Sequence, residues 1–239
     1  MGLIKLSVIS DSHNLHEQIK IPDCDILIHC GDATYHGYEW ELKEFFEWFV
    51  KQPAKHKIFI PGNHDESFER NPDMAFNCIP EGGNVIVLID QAIEIEGIKI
   101  YGTPWSTLFG GWAFMKQESD LKEIWAKIPD DTDILVVHGP PRGVLDFCVP
   151  SWFSPSGHCA GSSSLGDRIK QIQPKFVFCG HIHESAGVDK IGKTTVVNAS
   201  CVDVRCRFAR GPYVSWYDDL PDDVQLPKLP EGDGSKDLS

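Results

Sequence analysis

With 239 residues, 41% of them hydrophobic and 24% charged, the chain has the composition of a folded globular protein rather than a disordered or fibrous one. At a soft prior of ~150 residues per domain, that length makes one large α/β domain or two small ones, with enough chain for a sizeable core. Twenty-two Lys and Arg against thirty-five Asp and Glu leave −13, which excludes a general electrostatic binder of nucleic-acid backbones or acidic membranes.

From the N-terminus, short β-branched runs alternate with a helical pattern. Residues 4–10, 26–30 and 57–60 predict strands. Residues 40–52 predict an amphipathic helix with Leu42, Phe45, Phe46, Phe49 and Val50 on one side. This βαβ rhythm implies a buried sheet covered by helices. Residues 85–89, 92–95 and 98–101 are closely spaced strands, with a hairpin turn at Glu96-Gly97. A helix near 118–127 precedes strands at 134–137, 176–179, 187–191, 194–198 and 213–217. Periodicity alone supports an α/β chain with many strands in two clusters; two sheets packed face to face with helices outside is a reading that rests partly on a family resemblance. From Asp218 the pattern fails, because seven acidic residues, two lysines and three prolines predict a docked or flexible tail. The expected organisation is a domain over 1–217 and an acidic tail over 218–239.

The longest apolar runs are strand-sized, as in residues 84–90, far short of the ~20 needed to cross a bilayer. Met1 leads directly into a strand with no basic region or cleavage site, so secretion is not expected. The eight cysteines form no Cys-x-x-Cys pair, which fits a reduced, cytoplasmic protein rather than a disulfide framework or zinc ribbon.

Five motifs sit where strands end and loops begin, the place where open α/β sheets bind ligands. They are Asp11-Ser-His13, Gly31-Asp32, Gly62-Asn-His-Asp65, His138-Gly-Pro-Pro141 and Gly180-His-Ile-His183, and they hold five of the ten histidines. Singly, each is an ordinary turn. Together they supply carboxylates, imidazoles and an amide oxygen, donors suited to Mn²⁺, Fe²⁺ or Zn²⁺ and, without cysteine motifs, not to softer metals. One intervening residue in Asp11/His13 and in His181/His183 throws both side chains to one face of an extended segment. A carboxylate such as Asp32 can bridge two ions ~3.5–4 Å apart, which clamp an in-line displacement and acidify water to hydroxide. The inferred chemistry is phosphate-ester hydrolysis.

This ordered set resembles the signature of the calcineurin-like metallophosphoesterase superfamily. Finer features are similar to its brain-type metallophosphoesterase-domain branch: Gly31-Asp-Ala-Thr34 with Gly37, Tyr101-Gly-Thr-Pro-Trp105, Phe109-Gly-Gly-Trp112, Gly180-His-Ile-His-Glu184 and Asn198-Ala-Ser200. The resemblance implies an α/β fold, a four-layer α/β/β/α sandwich of two mixed sheets, and a dinuclear site. It implies Asp11, His13, Asp32 and His183 around one divalent ion and Asp32, Asn63, His138 and His181 around the other, with Mn²⁺ the first expectation and Fe²⁺, Zn²⁺ or Mg²⁺ the others. It makes His64 the acid or phosphate contact, and Asn63 a substrate contact. The branch resembles class III cyclic-nucleotide phosphodiesterases in activity.

Where many members of the superfamily carry an Asp or Arg after Gly-Asp, this chain has Ala33-Thr-Tyr35-His36. That weakens a phosphoprotein-phosphatase reading and leaves Asp65, by sequence, as the nearest partner for His64. His36 is either a substitute phosphate contact or an exposed loop residue. Arg142 is either a bidentate phosphate contact or a surface salt bridge. Trp105, Phe109 and Trp112 either stack on a base or pack locally. His29, inside a strand, reads as a core histidine.

The expected function is therefore metal-dependent hydrolysis of small nucleotide phosphodiesters, cyclic nucleotides among them. Its alternative is a nuclease or nucleic-acid end-processing phosphatase, which would need a basic channel. A non-enzymatic binding module predicts a lost ligand, and every position is intact. The expected partner is a small phosphate ester, without membrane or long nucleic acid, and an oligomer is compatible with the sequence.

Overall fold

A computed structural model describes residues 3–150 and 155–218. Beyond Asp218, the acidic tail expected from the sequence lies outside the described residues. The strands are β1 (Ile4–Ile9), β2 (Cys24–His29), β3 (Ala54–Phe59), β4 (Val85–Val87), β5 (Gln91–Ile95), β6 (Ile98–Thr103), β7 (Ser106–Thr107), β8 (Met115–Lys116), β9 (Ile134–Val137), β10 (Phe147–Cys148), β11 (His158–Cys159), β12 (Phe176–Cys179), β13 (Gly187–Ile191), β14 (Thr194–Asn198) and β15 (Tyr213–Tyr217). The α-helices are α1 (Glu39–Phe49), α2 (Ser67–Arg70), α3 (Pro72–Asn77), α4 (Glu118–Trp125) and α5 (Ser163–Ile172).

Two sheets carry the fold. One runs β15-β1-β2-β3-β4 and the other β13-β14-β12-β9-β6-β5, while β7 with β8 and β10 with β11 form small ribbons. Each large sheet is mixed: β1 to β4 are parallel with β15 antiparallel at the edge, and β14, β12, β9 and β6 are parallel between antiparallel β13 and β5.

Alternation along the strands builds the layers. Leu6, Val8, Ile26, Ile28 and Ile58 from one sheet meet Ile98, Ile100, Ile134, Val136 and Phe178 from the other in one buried cluster. The opposite faces are not polar. Leu27 and Phe59 pack under Leu42, Phe45, Phe46 and Phe49 of α1, and Leu135, Val137 and Val177 pack under Leu121 and Trp125 of α4 and Leu165 and Ile169 of α5. Three apolar interfaces separate four layers, so the α/β/β/α sandwich is present. No helix among the described residues is long and apolar enough to cross a membrane.

The strand ends differ little from expectation, and the hairpin turn holds Glu96 at φ 52° and Gly97 at φ 78°. Helix α5 is not among the elements expected from the sequence, although Leu165, Ile169 and Ile172 stand at helical spacing. Its first turn is polar, and its start is fixed by Ser162, whose hydroxyl accepts from the Leu165 amide at 3.1 Å.

The layout also locates the site. Parallel pairing brings the C-terminal ends of β1, β2 and β3 side by side, and likewise those of β9 and β12. A parallel bridge between Ser10 and Ser200 then ties the two sheets together at these ends.

Candidate metal centre

The five motifs all emerge at this junction. Asp11, His13, Asp32 and His181 each hold a left-handed backbone, with φ of 53°, 39°, 56° and 69°. Such strain in non-glycine residues persists only where the surroundings impose it, and it concentrates at functional sites. Two glycines explain themselves through close approach. A Cβ on Gly62 would strike the Asp32 carboxylate and His138, and one on Gly180 would strike Ser10 and the Asp11 carboxylate.

The histidines are oriented from behind. His13 Nδ1 lies 3.1 Å from the Thr34 carbonyl and His138 Nδ1 lies 2.8 Å from the Cys30 carbonyl. A carbonyl only accepts, so both Nδ1 atoms donate and each ring presents Nε2 to the site. His13 Nε2 is then 3.2 Å from His183 Nε2 and 3.9 Å from Asp32 Oδ2. His138 Nε2 is 3.0 Å from Asn63 Oδ1 and 3.3 Å from Asp32 Oδ2. His183 Nε2 is 3.4 Å from Asp11 Oδ1, whose carboxylate also accepts from the His181 amide at 3.0 Å. All seven sequence-predicted ligands are thus brought together. Donor atoms of Asp11, His13 and Asp32 lie within 4.8 Å of one another, as do those of Asp32, His138 and His181, and Asp32 belongs to both groups.

The convergence of so many acceptors demands positive charge. Without a cation, protons on two imidazoles supply it. Burial disfavours a charged His183, but the Asp11 carboxylate outweighs it and pushes the imidazole up to about 11. Burial and Asp32 act likewise on His138, which rises to about 9. Asp11 and Asp32, which burial alone would raise, are held well below the usual carboxylate range by His183 and His138. At His13 and His181 burial dominates, and they fall to about 4 and about 3, the neutral form a metal requires.

Divalent ions answer the same demand as those protons, so the donor set fits them. Loading should therefore displace at least two protons at neutral pH, one each from His138 and His183, and affinity should rise with pH until their raised values are passed. Calorimetric titration in two buffers of different ionisation enthalpy measures this directly. A binding heat independent of the buffer would contradict it.

His64 stands beside the cluster. Its amide donates to Asp32 Oδ1 at 2.8 Å, and its ring Nδ1 meets the Tyr35 carbonyl at 2.7 Å. Trp112 covers the ring with centroids 4.1 Å apart, and His13 meets it edge-on at 4.9 Å. The role of orienting His64, expected for Asp65, falls to the Tyr35 carbonyl. Asp65 turns the other way. Its carboxylate accepts from the amides of Gly62, Ala33 and Thr34 and from the Thr34 hydroxyl, at 2.8–3.2 Å. Burial and the Asp32 charge push Asp65 up to about 6. It joins the two ligand loops rather than contacting the His64 ring.

Other candidates separate cleanly. His29 accepts from the Gly31 amide and meets the Ser12 hydroxyl at 3.0 Å, a satisfied core histidine that props the residue between two ligands. Arg142 donates to the Cys159 carbonyl at 2.8 Å and is not drawn into the cluster. His36 stacks on Trp112 with centroids 6.0 Å apart, one ring removed from His64. Trp105 packs locally, bonded to Asp90 and against Phe114, whereas Phe109 is 73% exposed.

Three contributors lie outside the sequence motifs. Glu41, buried in α1, accepts from the amides of Tyr35, His36 and Tyr38 and from the Asn14 side chain, so it shapes the loop that gives His64 its carbonyl. A glutamate three residues after a helix's first flanking residue is the available signal. Arg210 donates to the carbonyls of His183, Ser200 and Val202. Cys206 places its sulfur within 4.8 Å of donor nitrogens of His13 and His183. Neither Arg210 nor Cys206 stands in a recognisable motif.

Comparison with known proteins agrees with this geometry. The calcineurin-like phosphoesterase pattern matches residues 4–185. The chain is 34% identical over 242 residues to metallophosphoesterase domain-containing protein 1 of Homo sapiens, covering 92% of this chain and 72% of that protein. A UPF0046 protein of Caenorhabditis elegans is 34% identical over 239 residues, covering 94% of this chain and 82% of its own. Among solved structures, that of TT1561 of Thermus thermophilus superposes with a TM-score of 0.56 at 14% identity, covering 91% of this chain and 99% of that one, a likeness of fold. With the family pattern spanning every motif at the sheet junction, the chain belongs to the calcineurin-like phosphoesterase family of metal-dependent hydrolases.

Proposed function

We propose that the chain hydrolyses phosphodiesters of small nucleotides, cyclic nucleotides first among them, with two divalent ions held by the ligands above. The observation that carries this is one carboxylate, Asp32, shared by two donor groups with the His64 ring beside it. When bound, such a pair supplies charge neutralisation and an activated water. The protein's own side chains do the rest. The Tyr35 carbonyl accepts from Nδ1 and, with Trp112, fixes the His64 ring, so that Nε2 gives a proton to the departing oxygen when the ring is the imidazolium, both nitrogens protonated. Asp65 and Glu41 lock the loops that hold Asp32 and Tyr35 in place.

Small size is favoured by charge. The chain carries −13, and the guanidinium groups of Arg70, Arg142, Arg207 and Arg210 are engaged with protein acceptors. A polynucleotide needs several free basic contacts along its backbone; a small ester needs the ions and one or two donors. Exposed Phe109 and half-buried Trp112 offer a base a surface to lie on. All eight cysteines are free, which supports a reduced, cytoplasmic setting.

The test is metal removal followed by a substrate panel. Chelation should abolish hydrolysis and Mn²⁺ should restore it, with 2′,3′- or 3′,5′-cyclic nucleotides and bis-p-nitrophenyl phosphate turned over faster than p-nitrophenyl phosphate. Full activity after thorough stripping defeats the metal reading. Preference for the monoester defeats the diesterase reading.

A further inference from the structure

We propose that Cys206 is a thiolate ligand to the ion gathered by Asp11, His13, Asp32 and His183, a sulfur donor added to imidazoles and carboxylates. This assignment deepens the two-ion reading above and rests on it. The sulfur and the donor nitrogens of His13 and His183 lie within 4.8 Å of one another, the span over which one ion collects its ligands.

The backbone presents this residue by construction. Val202 and Phe208 pair as an antiparallel bridge that closes a short turn. Within it the Cys206 amide donates to the Asp203 carbonyl at 2.8 Å, and the Asp203 carboxylate accepts from the amides of Arg205 and Arg207 and from the Arg207 guanidinium. At the apex Cys206 holds φ 52°, a left-handed backbone that cysteine seldom adopts. Arg210 clamps the base of the turn to the carbonyls of His183 and Ser200. One side chain thus ties the segment carrying Cys206 to the segment carrying His183. The neighbouring Cys30, Cys179 and Cys201 are fully buried and serve as small apolar side chains, whereas Cys206 is half-buried at the cluster.

The chemistry follows from the donor. As the sulfur–metal bond forms, the thiol proton leaves to solvent and one water leaves the ion. Thiolate ligation shifts preference toward Zn²⁺ or Fe²⁺ and away from Mn²⁺ or Mg²⁺. The second donor group, Asp32, His138 and His181 with Asn63, has no sulfur, so the two positions should differ in their metal order.

Titration of the full chain with Co²⁺ tests this. Loaded protein should show visible cobalt bands together with a near-ultraviolet sulfur-to-cobalt band. Cys206→Ser and Cys206→Ala should keep the visible bands and lose the sulfur band, while Cys148→Ser keeps both. Zn²⁺ competition should weaken about tenfold or more in the Cys206 variants, with Mn²⁺ binding changing less. Visible bands without a sulfur band, or a sulfur band that survives in both Cys206 variants, would overturn the ligand and leave the metal centre standing. A chain that takes up no cobalt overturns both.

Discussion

Replacing Asp32 should strip both ions from the protein and abolish turnover, whereas Asn63→Ala should weaken only one position. Asp32 is fully buried and works with both oxygens: Oδ1 holds the His64 amide at 2.8 Å, and Oδ2 faces His138 at 3.3 Å and His13 at 3.9 Å. It is the residue common to the two oxygen–nitrogen donor groups. Losing it removes a ligand from each ion and the charge that both rings answer, a larger effect than the ~10²–10³-fold attached to one electrostatic contact. Alanine there could also disturb the fold, so Asp32→Asn is the second variant. Asparagine tolerates the left-handed backbone at φ 56° and keeps the shape while removing the charge. Elemental analysis of folded protein, with a melting curve as control, decides between outcomes. An Asp32→Asn protein that still holds two ions breaks the assignment.

The strands are legible because β-branched runs bounded by Gly, Pro and Asp announce themselves, and β9, β12, β13, β14 and β15 fall where the pattern puts them. Helix α1 is legible for a different reason: Leu42, Phe45, Phe46 and Phe49 repeat at the helical period and all reach the same cluster. Helix α5 is missing from the expected elements although Leu165, Ile169 and Ile172 repeat at the helical spacing behind a capping serine. The ligands can be read because each follows its own strand, so strand ends that parallel pairing aligns must converge. Side chains that enter from elsewhere leave no such mark. Cys206 arrives on a turn near the far end of the chain, and Glu41 from within a helix whose polar positions read as solvated. Asp65 misleads by proximity. It is adjacent to His64, yet the turn that directs the His64 ring toward Tyr35 sends the Asp65 carboxylate back onto residues 33 and 34. Sequence distance says which groups are near, and backbone direction says which of them meet.

That same geometry separates the work of His64 from the work of the ions. Residue 64 holds Asp32 by a hydrogen bond from its backbone amide, which alanine keeps, so truncating the ring in His64→Ala should spare the bridging carboxylate and leave metal content unchanged. What disappears is a ring whose Nδ1 donates to the Tyr35 carbonyl at 2.7 Å and whose Nε2, in the imidazolium form, is the remaining proton donor. General acid catalysis contributes ~10²–10⁴-fold, and the need for it fades as the leaving alcohol becomes more acidic. A ribose hydroxyl leaves poorly without a proton; a nitrophenolate leaves well. His64→Ala should therefore lose about 10²-fold or more on a cyclic nucleotide and far less on bis-p-nitrophenyl phosphate. The ratio of the two losses is the diagnostic, because a ring that merely positioned phosphate or neutralised its charge would slow both substrates alike. Equal losses with both ions still present would move the acid to another group and leave His64 a phosphate contact.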